Sequence, residues 1–137
     1  MEISATVKNS LTGHEVSMRS GTASQSLAVK AKASGKGSAI SGGEFLMLAL
    51  AICYCNDLYR EAERLHLNIE TAEVEASADF PGIGLAATNI RYRATVVSSA
   101  PNSAIAELLR QTDAVAEVHN TLRAGVPVEL VSPIISG

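Results

Sequence analysis

The chain holds two cysteines, in the run Cys53-Tyr54-Cys55. A thiolate attacks peroxides and disulfides and binds soft metals, so these two side chains are the first candidates for chemistry. If the run is helical, positions two apart point about 200° away from each other, and the two sulfurs cannot bond without unwinding. They read as reduced thiols, which suits a reducing compartment. A buried free cysteine is also a small hydrophobe, so packing is the alternative for each. Asp57 follows Cys53 at i+4, and its charge there opposes ionisation of the thiol. His14, His66 and His119 lie far apart without metal-ligand spacing, so no metal is expected. Glu70, Glu73 and Glu75 read as a solvated strand face, and Arg91 and Arg93 fall on one side of a strand that can pair with it.

The element that must position the cysteines begins at Gly42-Gly43-Glu44, with an acid in the first turn where the helix dipole favours it. The spacing predicts a helix from Glu44 to His66. Its first half, Phe45 to Cys55, is apolar on every side, and its second half (Asp57, Arg60, Glu61, Glu63, Arg64) is amphipathic. A helix apolar all round must be covered all round. One small sheet covers one side, so a second copy of the chain is expected on the other.

Around this helix, alternation predicts strands at Ile3 to Val7, Glu15 to Arg19 and Gln25 to Lys30, and then a flexible Gly- and Ser-rich loop from Lys32 to Gly43. A hairpin follows, Glu70 to Phe80 and Asn89 to Ser98, turned by Pro81-Gly82-Ile83-Gly84. Asn102 is the expected N-cap of a helix to Gln111, and Asp113 that of a helix from Ala114 to Arg123 that Gly125 stops. Val126 to Val131 reads as a last strand, at an edge because of Pro127. The order βββ-α-ββ-αα-β gives an α+β class rather than repeated βαβ units.

Composition bounds the partners. At 137 residues the chain reads as one domain, 1–137, with 47 % hydrophobic residues but only 4 % aromatics. Eleven Lys and Arg are scattered, the net charge is −3 and the pI about 5.6, so no nucleic-acid partner is expected. The 11-residue run Phe45 to Cys55 is well short of the roughly 20 residues a membrane span needs, and Met1-Glu2-Ile3-Ser4 opens a strand-like pattern without a basic and then apolar stretch, so no secretory leader is expected. The expectation is a cytoplasmic protein with no membrane partner.

The string Gly43-Glu44-Phe45-Leu46-Met47-Leu48-Ala49-Leu50-Ala51-Ile52-Cys53 resembles the central-helix motif of the OsmC/Ohr family, the osmotically inducible and organic hydroperoxide resistance proteins. That motif is a Pro- or Gly-led acid, an apolar run, then a cysteine. Glu117-Val118-His119-Asn120-Thr121-Leu122 is similar to the family's C-terminal segment, Cys-Pro-x-Ser-Asn-x-Leu. The order of elements fits as well, so the resemblance, to the OsmC-like branch, covers nearly the whole chain. It implies an intertwined homodimer with long buried central helices sandwiched by antiparallel sheets. It also implies a thiol peroxidase that reduces small organic hydroperoxides, with no cofactor and with an external thiol or dithiol as reductant.

Carried over by position, Cys53 falls on the peroxidatic cysteine, and Ala116 stands where the resolving cysteine would be. The family's activating arginine comes from the first β-turn, where the nearest basic groups are His14 and, further along, Arg19. The glutamate that orients that arginine aligns with Gly43, with Glu44 one place later. Cys55 has no family counterpart and reads as packing or as a resolving thiol across the dimer. His119 and Asn120 stand where the family has a polar pair near the pocket. Either lines a ligand site, or Asn120 bonds to backbone near a helix end. Two functions follow: a weak, one-cysteine peroxidase, or a non-enzymatic stress protein of the same fold that holds a small hydrophobic ligand.

Overall fold

The computed structural model describes residues 1–136. Its elements run β1 (Ile3–Asn9), β2 (His14–Ser20), β3 (Ala23–Leu27), α1 (Gly42–Arg64), β4 (Thr71–Asp79), β5 (Thr88–Val97), α2 (Asn102–Val115) and α3 (Glu117–Ala124). This is the α+β class expected, with antiparallel sheets and three helices. The chain divides into two compact units, residues 1–46 and 47–137, with α1 crossing the boundary.

The first unit is an antiparallel sheet in the order β1-β2-β3. Lys8 faces Glu15 and Val7 faces Val16, while Leu27 closes the β2–β3 ladder opposite Val16. The third strand ends there, three residues before the expected Lys30. A strand persists only where a neighbour supplies its hydrogen bonds. No residue of these three strands is buried; Ile3 and Val7 stay 69 % and 60 % exposed.

Ser41 and Glu44 start α1 reciprocally. The Ser41 amide donates to Glu44 Oε1 at 3.0 Å, and the Glu44 amide donates to Ser41 Oγ at 3.1 Å. This capping box satisfies two otherwise orphaned donors. It also holds the Glu44 carboxyl below the ordinary carboxylate range, through the Ser41 amide first and the hydroxyl second.

In the second unit α1 ends at Arg64, two residues before the expected His66. His66 adopts φ 56°, and the Leu67 amide donates back to the Ala62 carbonyl at 2.8 Å. That is a Schellman-type stop with histidine in the left-handed position. The core gathers Leu58, Ala62 and Leu108, all nearly inaccessible, with Leu65, Leu67, Ile69, Ala72, Val96, Ile105 and Leu109 against them. The alternation of β4 and β5 places Ala72, Val74 and Ala76 opposite Val96, Ala94 and Tyr92. Glu75 lies directly across from Arg93, the expected cross-strand match, and Ser77 faces Arg91.

The C-terminal third departs from expectation. Helix α2 starts with Asn102 already helical after Pro101, and neither α2 nor α3 has a side-chain cap. Asp113 lies inside α2, which runs on to Val115; the break falls instead at Ala116, in extended conformation (φ −70°, ψ 105°). Gly125 ends α3 as expected, left-handed, with its amide on the Leu122 carbonyl. Residues 126–131 form no strand. Pro127 lacks an N–H, and Val128 and Leu130 are almost fully exposed, with no strand beside them among the described residues.

Candidate functional site

Along α1 the buried positions Leu50, Tyr54, Asp57, Leu58 and Glu61 recur every three or four residues and mark the face turned inward. Cys53 sits at the margin of that face, half-buried. Its thiol donates to Asp57 Oδ2 at 3.8 Å, so the i+4 carboxylate does meet the sulfur. The break at Ala116 starts α3 beside it. Cys53 Sγ and carboxylate oxygens of Asp57 and Glu117 all lie within 4.8 Å of one another.

Five influences set the ionisation of this thiol, and four oppose it. Burial pushes its pKa up most, the backbone amide of Val118 pulls it down, and the charges of Asp57 and Glu117 and the thiol's own hydrogen bond to Asp57 push it up again. The net direction is upward, which keeps the proton on sulfur at neutral pH. The nearest cation is already engaged: Arg60 Nη1 lies 2.9 Å from Asp57 Oδ1, and its Nε lies 3.7 Å from Glu61. A thiol and two carboxylates are metal-type ligands, yet one of the two acids is paired with arginine. Cys55, also half-buried, remains a free thiol.

The other sequence candidates have partners of their own. Asn9 Nδ2 donates to His14 Nδ1 at 3.0 Å, which leaves His14 Nε2 to donate to Ser38 Oγ at 2.6 Å. Arg19 lies 4.0 Å from Glu2, both well exposed. Glu44 is occupied by its cap. Asn120 donates from its side chain to the Ala114 carbonyl at 3.0 Å, and its amide donates to the Ala116 carbonyl at 2.9 Å. Of the two roles open to Asn120, it fills the backbone one, tying the end of α2 to α3.

His119 differs. It is only 4 % exposed, and neither ring nitrogen has a hydrogen-bond partner among the described residues. A buried unpaired donor or acceptor costs about 1–3 kcal/mol. Burial first, and the nearby Arg123 second, hold its pKa below the ordinary histidine range, so the ring is neutral at pH 7. It packs against Tyr92 edge-on with ring centroids 4.5 Å apart, and against Tyr54 at 5.9 Å.

Behind the rings runs a polar chain absent from the sequence candidates. Tyr54 Oη donates to the Leu109 carbonyl at 2.8 Å, Tyr92 Oη donates to Asp113, and Arg123 Nη2 meets Asp113 Oδ1 at 2.7 Å. Burial raises the Tyr54 pKa to about 12 and lifts Tyr92 as well. Leu50, Ile90, Leu122 and Tyr92, with His119, Arg91 and Arg123, line a cavity of about 390 Å³ that opens to solvent. The one sequence signal for this cluster was the scarcity of aromatics, since Tyr54 and Tyr92 are two of only five.

Among the described residues, no helix is long and apolar enough to cross a membrane. The sequence profile of the OsmC-like proteins matches residues 35–131. No curated protein matches the chain. Among solved structures, it is similar to an OsmC-like protein from Mycoplasma pneumoniae, with TM-score 0.64 and 18 % identity over 89 % of this chain and 86 % of that one. It is also similar to an organic hydroperoxide resistance protein OsmC from Legionella pneumophila, with TM-score 0.59 and 16 % identity over 90 % of each chain. A third likeness is to an OsmC-like hydroperoxide resistance protein from Jannaschia, with TM-score 0.56 and 18 % identity over 90 % of this chain and 83 % of that one. The profile match spans both segments that build the Cys53 site, and the chain belongs to the OsmC-like family.

Proposed function

We propose that this protein is a one-cysteine thiol peroxidase that reduces small organic hydroperoxides at Cys53. The observation that carries the reading is the seat of Cys53 against the amide of Val118, directly after the break at Ala116. By the resemblance, Cys53 takes the peroxidatic position and Ala116 that of the resolving cysteine, and the close approach of the two segments supports this reading. The hydroperoxide resistance proteins from Legionella and Jannaschia share the fold and support the substrate class.

The thiol first loses its proton, against the charges of Asp57 and Glu117. The thiolate attacks one peroxide oxygen, the O–O bond breaks, and the alkoxide leaves as an alcohol after taking a proton. Cys53 is left as a sulfenic acid. With Ala116 at the resolving position, an external thiol displaces water to form a mixed disulfide. A second equivalent then releases Cys53 and leaves as the oxidised disulfide.

The working form is a homodimer. Leu48 and Ile52, on the outer side of α1, are 49 % and 51 % exposed, and Tyr59 is 45 % exposed. A second copy laid along this stripe covers it; obligate interfaces commonly bury more than about 2,000 Å².

The test follows cumene hydroperoxide consumption with dithiothreitol as reductant, wild type against Cys53→Ser, with intact mass after peroxide alone. Loss of turnover in Cys53→Ser and one added oxygen on wild-type Cys53 support the enzyme. Turnover unchanged in Cys53→Ser sinks it. The second reading, a ligand-binding protein of the same fold, is favoured by the raised thiol pKa, and it predicts an unmodified mass.

A further inference from the structure

Cys53 does not itself line the cavity beside His119, although Leu50, one turn before it on α1, does. We infer that this cavity is a binding site for a small organic monocarboxylate, an anionic head on an apolar body.

Three features set the ligand's chemistry. Leu50, Ile90 and Leu122 supply apolar walls, and the volume of about 390 Å³ lies in the lower part of the range for small-molecule sites. The charged lining is basic only: Arg91 and Arg123 border the cavity and no acid does. Arg123 is committed to Asp113 at 2.7 Å, whereas Arg91 faces Ser77 across the strand pair rather than an acid. A carboxylate suits the planar fork of a guanidinium better than any neutral head.

His119 supplies the independent indication. It lines the cavity, is nearly fully buried, and has a partner on neither nitrogen. Buried polar side chains in folded proteins are overwhelmingly paired, and one that is not calls for a reason. The edge-on contact with Tyr92 leaves that ring face as only a weak acceptor. Neutral imidazole carries one N–H, which a carboxylate oxygen bound to Arg91 can accept. Head and body are thereby recognised together.

The experiment titrates full-length protein with sodium hexanoate, following the histidine Cε1–H resonances, with acetate and hexan-1-ol as controls. His119→Gln identifies the His119 signal. The expected result is a saturable shift of that signal by hexanoate, with acetate weaker by at least about tenfold for want of the chain. Arg91→Met, at an exposed position, is expected to weaken hexanoate by about tenfold or more and to leave hexan-1-ol unchanged. Three results overturn the inference: a His119 signal that hexanoate does not move, hexan-1-ol binding as tightly as hexanoate, or wild-type hexanoate affinity in Arg91→Met.

Discussion

Cys53 and Asp57 are joined by a thiol–carboxylate contact of 3.8 Å, one turn apart on α1, and the far oxygen of Asp57 is held by Arg60 at 2.9 Å. The acid thus stands between the sulfur and the only cation on that part of the helix. It adds to the burial that keeps the thiol protonated, while drawing the arginine's charge to its own side.

Replacing Asp57 with asparagine therefore activates the cysteine. The substitution removes one opposing charge and releases Arg60 Nη1, while Arg60 Nε stays near Glu61. The Cys53 pKa should fall, so that alkylation by iodoacetamide at pH 7 quickens by up to about tenfold. The pH profile of alkylation, mapped separately for Cys53 and Cys55, gives the answer. A profile that stays put, or one that moves for Cys55 alone, contradicts the arrangement.

Ala116→Cys restores a second thiol beside the first. Ala116 is fully buried, so the added sulfur strains the packing by about 1–3 kcal/mol. After one equivalent of peroxide the variant should lose two hydrogens, with a Cys53-containing disulfide in the unreduced peptide map. Wild type should gain oxygen instead. Equal oxygen gain in both proteins would show that the break at Ala116 does not face Cys53.

The Tyr92–Asp113 bond adds a pH-dependent component to stability. Burial pushes the Asp113 pKa up, but the Tyr92 hydroxyl and Arg123 outweigh it and hold the carboxyl below its ordinary value. A depressed acid stabilises fully above its unfolded pKa of about 4, and this contribution is lost as pH falls through the folded value. Tyr92→Phe should cost about 1 kcal/mol between pH 5 and 8, modest because Asp113 is partly exposed. The gap to wild type should narrow below about pH 4. Urea titrations across that range measure it; a gap that widens in acid reverses the sign.

His66→Gly should stabilise. The position holds φ 56°, which a Cβ makes costly and glycine adopts freely. A gain of about 1 kcal/mol, or a melting point higher by about 3 °C, is expected. Loss of stability would mean that the His66 side chain contributes more than its backbone costs.

Helix α1 and the β4–β5 hairpin were legible because their apolar residues repeat at 3.6 and 2, and each pattern is long enough to exclude the other. The glycine stop at Gly125 was legible for the same local reason. The position of the break at Ala116 was not: a break was expected three residues earlier, at Asp113, which is a good N-cap residue, whereas alanine favours helix more than any other residue. Val126 to Val131 misled in the opposite sense, since it has strand propensity without a neighbouring strand to pair with among the described residues. Asp57 could be placed against Cys53 by helical arithmetic alone. Glu117, Val118 and the tyrosine–histidine cluster could not, because they reach α1 from 55 or more residues away in the case of Leu109 and α3.

The β1–β2–β3 sheet has every ladder bond and very little core. A sheet in that condition has its geometry fixed by hydrogen bonds, while most of its free energy of burial is still to be gained. On the dimer reading, assembly is the last step of folding for residues 1–46, and 47–137, with its own Leu58–Leu108 core, goes first. Backbone amides of β1 to β3 should then exchange with solvent faster on dilution while those of β4 and β5 hold steady. Dilution would act on this sheet as a denaturant acts on others.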